Sequence, residues 1–170
     1  LLGLHDVAAY LALFDDSISA RAEWLALIDL LTIKETRFFR QVESFACFEH
    51  YLEEFLDESP ATGEFSFWSA GCSTGQELYS MAMVAESVIS QGSPWLEWQG
   101  IGTDISFRAI EQSREAVYSE QAMTSIPEKY RGLFLDPKLG NRWKIIVEIL
   151  TRPNVFNSIL LHVDRTALGV

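Results

Sequence analysis

The sequence predicts an α/β fold: a small helical region followed by a doubly wound domain built on a parallel sheet. Three observations predict it. Apolar residues recur at helical spacing through the first ~60 positions. The stretch DESPATGE, residues 57 to 64, then gathers proline, glycine and small polar residues and marks a boundary. Beyond it, short aromatic or apolar runs alternate with helical ones in the order βαβα, as in a parallel sheet with helical crossovers.

From the N-terminus, VAAYLALF and RAEWLALIDLL are too densely apolar for exposed helices and are expected to pack on one another. From Thr36, the segment TRFFRQVESFACFEHYLEEFLDE places Phe38, Val42, Phe45, Phe48 or Glu49, Leu52, Phe55 and Leu56 at three- and four-residue steps, which predicts an amphipathic helix. FSFWSAG is short and aromatic and ends in glycine, so it reads as a strand. QELYSMAMVAESVISQ follows as a helix with Leu78, Ala82, Ala85 and Ile89 on one side. SPWLEWQGIGTDIS supplies a loop and a second strand ending at Asp104, and FRAIEQSREAVYS a helix with Ser106 at its N-cap. RWKIIVEIL reads as a strand of an antiparallel insertion. Residues 1–58 are thus assigned to an N-terminal helical domain and 64–170 to the α/β domain.

The net charge of −11, with no extended Lys/Arg stripe, argues against nucleic acid as a partner. No apolar run approaches the ~18 residues of a membrane span, so no membrane insertion is expected. Cys47 and Cys72 lie far apart, and Cys72 falls inside a glycine turn that a bridge would lock; reduced thiols in a cytoplasmic protein are expected. Leu1 is not an initiator methionine and the chain stops after RTALGV without an evident helical or strand ending, so a fragment truncated at its C-terminus is expected.

Gly71-Cys72-Ser73-Thr74-Gly75 is open to two readings. A strand that ends in a glycine-rich turn and opens a helix makes a cofactor floor, because glycine allows close backbone approach and the helix start offers unpaired N–H groups. An acidic residue at the end of the next strand then accepts hydrogen bonds from ribose hydroxyls, and Asp104 occupies that place. The other reading is a hydrolase's nucleophile elbow with Ser73 attacking. It requires a downstream histidine, and only His162 lies there; no HGGG-type oxyanion segment precedes the turn. Ser73 is better read as a turn residue whose hydroxyl bonds locally. His5, His50 and His162 are isolated and neither CxxC nor HExxH occurs, so no metal site is expected.

A second motif, LLTIKETRFFRQVESF, concentrates Lys34, Arg37 and Arg40 in an otherwise acidic chain. It is either a solvated helix start with Phe38 and Phe39 in the core, or a cationic edge of the crevice that attracts an anionic substrate.

Taken together, LTIKETRFFR, WSAGCSTGQELYSMAM, GTDIS and AVYS fall in the order and approximate spacing of the CheR family of chemotaxis-receptor glutamate methyltransferases, which the chain resembles from about Leu30 to Tyr130. A type IV pilus or twitching chemosensory branch is the nearest likeness within it. The resemblance implies a Rossmann-like methyltransferase domain that binds S-adenosylmethionine, with a chemoreceptor's cytoplasmic domain as partner, a glutamate methyl ester as product, and a monomer as the working form. Position by position, Thr36 and Arg40 match residues that approach the cofactor, Ala70, Gly71 and Gly75 belong to the turn beneath it, and Asp104 matches the ribose-binding acid. Either Gln76 or Glu77 takes the place of a carboxylate near the cofactor. Arg40 is the candidate catalytic residue, orienting a carboxylate through its planar fork. Tyr79, on the same helix, reads as packing under the sheet.

The stretch LFLDPKLGNRWKIIVEILTRPNVF resembles a small β insertion through which some members grip a receptor's C-terminal tail. The chain departs from the family at Lys34, usually asparagine, and at Gln76 and Leu78. It is also expected to end before the family's asparagine-containing strand at the reaction site. A non-catalytic adaptor that binds cofactor or receptor tail is therefore the competing reading.

Overall fold

The computed structural model describes residues 6–14, 18–32, 35–58, 63–137, 142–145 and 158–163. Lys34 lies outside them. Two helices open the chain, α1 (Val7–Leu11) and α2 (Ile18–Leu31). They meet through rings: Tyr10 packs edge-on to Phe14 at 5.2 Å, and Phe14 meets Trp24 at 4.5 Å. The expected mutual packing is only partial, since Leu11, Leu30 and Leu31 are exposed.

The amphipathic helix α3 runs Val42–Glu58 and does not begin at Thr36 as the spacing suggested. Residues 35–41 form an extended segment and turn, with Phe39 in the left-handed region at φ 50°. A phenylalanine takes that conformation only when its surroundings hold it there. Here Phe39 stacks on Tyr130 at 5.2 Å, Phe38 is fully buried edge-on to Tyr118, and the Phe39 N–H donates to the Ser80 hydroxyl at 3.1 Å. Starting the helix later turns Val42 out to solvent, while Leu52 is fully buried and Phe45, Phe48, Phe55 and Leu56 pack on the core.

The central unit is β1 (Glu64–Ala70), α4 (Gln76–Gly92), β2 (Glu97–Asp104) and α5 (Phe107–Glu115). Strands β1 and β2 are parallel, and a third parallel strand, β6 (Ser158–Val163), lies on the far side of β2. The sequence reading did not assign β6; its apolar run SILLHV lacks the alternation of a one-face strand. Along β1, Phe65, Phe67 and Ser69 point inward and their neighbours outward. The inner face packs against α3 and α4, whose Leu78, Ala82, Ala85 and Ile89 are fully buried.

Helix α5 is capped by Ser106, whose hydroxyl accepts from the Ala109 N–H at 3.1 Å. It stops at Glu115, because Ala116 turns left-handed (φ 54°). The AVYS segment read as its continuation instead gives β3 (Val117–Ser119), followed by α6 (Glu120–Met123), α7 (Glu128–Phe134) and β4 (Leu135–Pro137). Together with β5 (Arg142–Ile145) they form a small antiparallel sheet in the order β3-β5-β4, as expected for the insertion. Residues 146–150 of the strand read there lie outside the described residues. None of the described helices is long and apolar enough to cross a membrane.

Candidate functional site

The carboxyl ends of β1 and β2 lie side by side, with Ala70 paired to Thr103. The chain leaves β1 through Gly71 (φ 72°), Ser73 (φ 51°) and Gly75 (φ 93°), a run of left-handed residues that folds the turn back toward β2. Four of its amides are spent inside the protein. Gly71 and Cys72 donate to the Thr103 carbonyl at 2.8 and 2.9 Å, Gly75 donates to the Cys72 carbonyl at 2.9 Å, and Ser73 donates to Asp104 Oδ2 at 2.8 Å. The turn is thus a tied platform, and at the start of α4 the N-cap Gly75 offers no side-chain cap to the helix's first N–H groups, in keeping with the expectation for the helix start.

The two glycines serve different ends. Around Gly71 no heavy atom comes within 4 Å of where a Cβ would stand, so its open side is free for a ligand. Gly75 faces the other way: a Cβ there would lie 2.0 Å from Ser113 Oγ and 3.1 Å from the Tyr118 hydroxyl. Its smallness lets α4 start against the end of α5, away from the cleft. The Tyr118 hydroxyl donates to the Thr74 carbonyl at 2.7 Å, and the Tyr79 hydroxyl to the Ser113 carbonyl at 2.8 Å, which fastens the underside of the turn.

A cleft of about 400 Å³ opens over Gly71, within the ~300–1,000 Å³ of small-molecule sites. One wall is the segment before α3, with Glu35, Thr36, Arg37 and Arg40; α3 adds Ser44, Phe45 and Phe48. The other wall is the turn and α4, with Cys72, Ser73, Glu77 and Met81. Arg40 donates through Nη1 to the Glu35 carbonyl at 2.8 Å and remains exposed. Glu77, on the same cleft, accepts from the Ser69 hydroxyl at 2.6 Å. Gln76 is buried and takes the Thr74 hydroxyl at 2.7 Å, so of the two candidates Glu77 is the one on the cleft wall.

Of the residues singled out in the sequence, the cleft therefore brings together Thr36, Arg40, Gly71 and Glu77. Ala70, which is exposed, and Asp104 are not among the residues that line the cleft. Asp104 reaches it through Ser73, and its other oxygen accepts from the Ser106 N–H at 2.8 Å. Phe45, Phe48 and Met81 were missed as lining residues. The phenylalanines had been read only as part of an apolar stripe, whereas the signal for Met81 was present: it follows Glu77 by one helical turn and shares its face.

The Ser73 hydroxyl is buried without a hydrogen-bond partner, neither bonding locally as expected nor meeting a base, as a nucleophile must. Cys72 is 1% exposed, and burial, with the Asp104 carboxylate adding to it, pushes its thiol up to about 12, so it stays protonated and unreactive.

Residues 34–164 match the family model described as CheR methyltransferase, SAM binding domain. The chain belongs to the CheR methyltransferase family. It is 30% identical over 135 residues to the chemotaxis protein methyltransferase of Escherichia coli K12, covering 79% of this chain and 44% of that protein. The chemotaxis protein methyltransferase of Klebsiella aerogenes is 33% identical over 136 residues, again 79% of this chain and 44% of the relative. The Borreliella burgdorferi chemotaxis protein methyltransferase is 25% identical over 166 residues, 96% of this chain and 58% of the relative. The chain thus spans about half the length of the curated relatives it matches.

The cofactor of this CheR domain is S-adenosyl-L-methionine, and the cleft fits it. The space above Gly71 admits close approach of a flat ring system or ribose. The cleft offers an anion, Glu77, to the ammonium of an amino-acid tail, Phe45, Phe48 and Met81 supply apolar surface, and Arg40 leaves a cation at the edge for a carboxylate of the acceptor.

Proposed function

We propose that this chain carries the methyl-transferring site of a protein-glutamate O-methyltransferase, acting in the cytoplasm on glutamate side chains of methyl-accepting chemoreceptors. The observation that carries the reading is that one cleft is lined by Arg40, Glu77 and Gly71, with the side of Gly71 where a Cβ would stand open. When bound, the cofactor supplies an electrophilic methyl group on a sulfonium.

What the chain's own residues must do follows from the acceptor. A glutamate with an ordinary pKa near ~4.3 is ionised at neutral pH, so no general base is needed. Orientation is what is needed, because holding the attacking oxygen in line removes most of the entropic barrier. Arg40 suits that task through its planar donors, with Arg37 adding positive charge against a protein of net charge −11. Thr36, Gly71 and Glu77 are assigned to the cofactor's side of the cleft, and Asp104, through the end of β2, to its ribose. The antiparallel sheet β3-β5-β4 is the surface proposed to meet the receptor.

The test is transfer of a tritiated methyl group from S-adenosylmethionine to a purified receptor cytoplasmic domain by this chain. Label released as methanol by mild base identifies a carboxyl methyl ester. Cofactor binding without any base-labile label on the receptor would overturn the transferase reading and leave the chain as a binding adaptor.

A further inference from the structure

The last turn of helix α2 meets the start of α5 through Asp29. Only 10% of the Asp29 side chain is exposed, and a carboxylate so shielded has to be partnered. Its Oδ1 accepts the hydroxyl proton of Ser106, across 77 residues of sequence, and its Oδ2 faces Arg108 Nε at 3.2 Å. Arg108 is 80% exposed, so that ion pair is screened by solvent and contributes little. The bond to Ser106 is charge-assisted and shielded, and it is the stronger tie.

Ser106 is 1% exposed and is held from three directions. Its single hydroxyl proton goes to Asp29, its hydroxyl oxygen accepts from the Ala109 N–H at 3.1 Å, and its own N–H donates to Asp104 Oδ1 at 2.8 Å. Asp104 Oδ2 in turn takes the N–H of Ser73, a cleft residue. A continuous path of hydrogen bonds thus runs from α2 through the start of α5 and the end of β2 to the turn under the cleft.

We propose that Asp29 is a positioning residue of the cofactor site: through Ser106 it fixes the Asp104 carboxylate, which makes α2 a working part of the crevice. The inference rests on the proposed role of Asp104 toward the cofactor. Without Asp29 the Ser106 hydroxyl loses its acceptor, the cap of α5 loosens, and one of the two amides that hold Asp104 is no longer fixed.

The experiment is calorimetric titration of the 170-residue chain with S-adenosylhomocysteine, with circular dichroism to verify that each variant is folded. Asp29→Ala is expected to weaken binding about five- to ten-fold, the size typical of coupling within one network, and Ser106→Ala to do the same. Asp29→Asn, whose amide oxygen still accepts the hydroxyl proton, should stay within about two-fold, as should Arg108→Ala. In an Asp104→Ala background, Asp29→Ala should add nothing; an equal further loss there would show that Asp29 acts by general stabilisation and overturn the inference. Wild-type affinity in Asp29→Ala overturns it too. Wild-type affinity in Asp104→Ala itself would instead remove the role proposed for Asp104. Should Asp29→Ala not fold, Asp29→Leu, which keeps the bulk and removes the acceptor, takes its place in both backgrounds, and wild-type affinity there overturns the inference.

Discussion

The Arg40 guanidinium donates to the carbonyl of Glu35, five residues back, at 2.8 Å. The bond closes the turn that Phe38 and Phe39 anchor, so the side chain is presented to the cleft at little conformational cost when a carboxylate arrives. Arg40→Ala is expected to lower methyl transfer about 100-fold while the affinity for S-adenosylhomocysteine falls less than about three-fold. Arg40→Lys should recover only part of the rate, since an ammonium lacks the planar fork. Equal losses of rate and affinity in Arg40→Ala would assign the residue to binding alone.

The two glycines of the turn separate folding from binding. Gly75→Ala forces a Cβ to 2.0 Å from Ser113 Oγ at φ 93°, and a destabilisation of about 3 kcal/mol is expected in thermal unfolding. Gly71→Ala, at φ 72° over open space, should cost only about 1 kcal/mol of stability yet weaken S-adenosylhomocysteine binding, because its methyl group enters the cleft.

Alkaline pH should unfold the protein early. Burial raises the Cys72 thiol from its ordinary value of 9.0 to about 12, and burial likewise raises the Tyr79 and Tyr118 phenols. In each case the folded state favours the protonated form. Stability is therefore full below the unfolded-state pKa values and is lost as pH rises toward the folded ones, where only the unfolded chain ionises readily. Urea midpoints measured from about pH 8 to about pH 11 should fall, and less steeply in Cys72→Ala. In the same range the exposed Cys47 should alkylate while Cys72 stays protected until unfolding.

Tyr118→Phe removes the donor to the buried Thr74 carbonyl and leaves the ring's packing against Phe38 in place. A loss of about 1–2 kcal/mol is expected, read as a lower urea midpoint with an unchanged slope.

The βαβα core was legible because its signals agree. FSFWSAG ends in a glycine that the backbone needs, and Leu78, Ala82, Ala85 and Ile89 all fall in the core, although α4 also buries Tyr79, Met83 and Val84 beyond that face. What was not legible has physical causes. The start of α3 was misplaced because TRFFRQ contains no glycine or proline; tertiary burial, not local preference, turns Phe39 left-handed. Val117–Ser119 is too short a strand to show a period of two, and Ala116 gives no turn signal of its own. In the site, residue type pointed to Arg40, Glu77 and Gly71, but no pattern tells which side of a glycine is occupied. Only the contact of Gly75 with Ser113 shows that it faces away from the cleft. The link from Asp29 to Ser106 joins distant segments and leaves no trace in local spacing.

The turn before α3 also bears on how natural or random variation in this chain should be sorted. Phe38 and Phe39 are buried and Arg40 is not, so three consecutive letters of the sequence answer to two different pressures. Changes at Phe38 or Phe39 will be lost chiefly as protein that never accumulates, whereas changes at Arg40 will yield abundant protein that is silent. A mutational scan that scores only methylation would merge the two classes, and one that also scores abundance would part them at a single peptide bond.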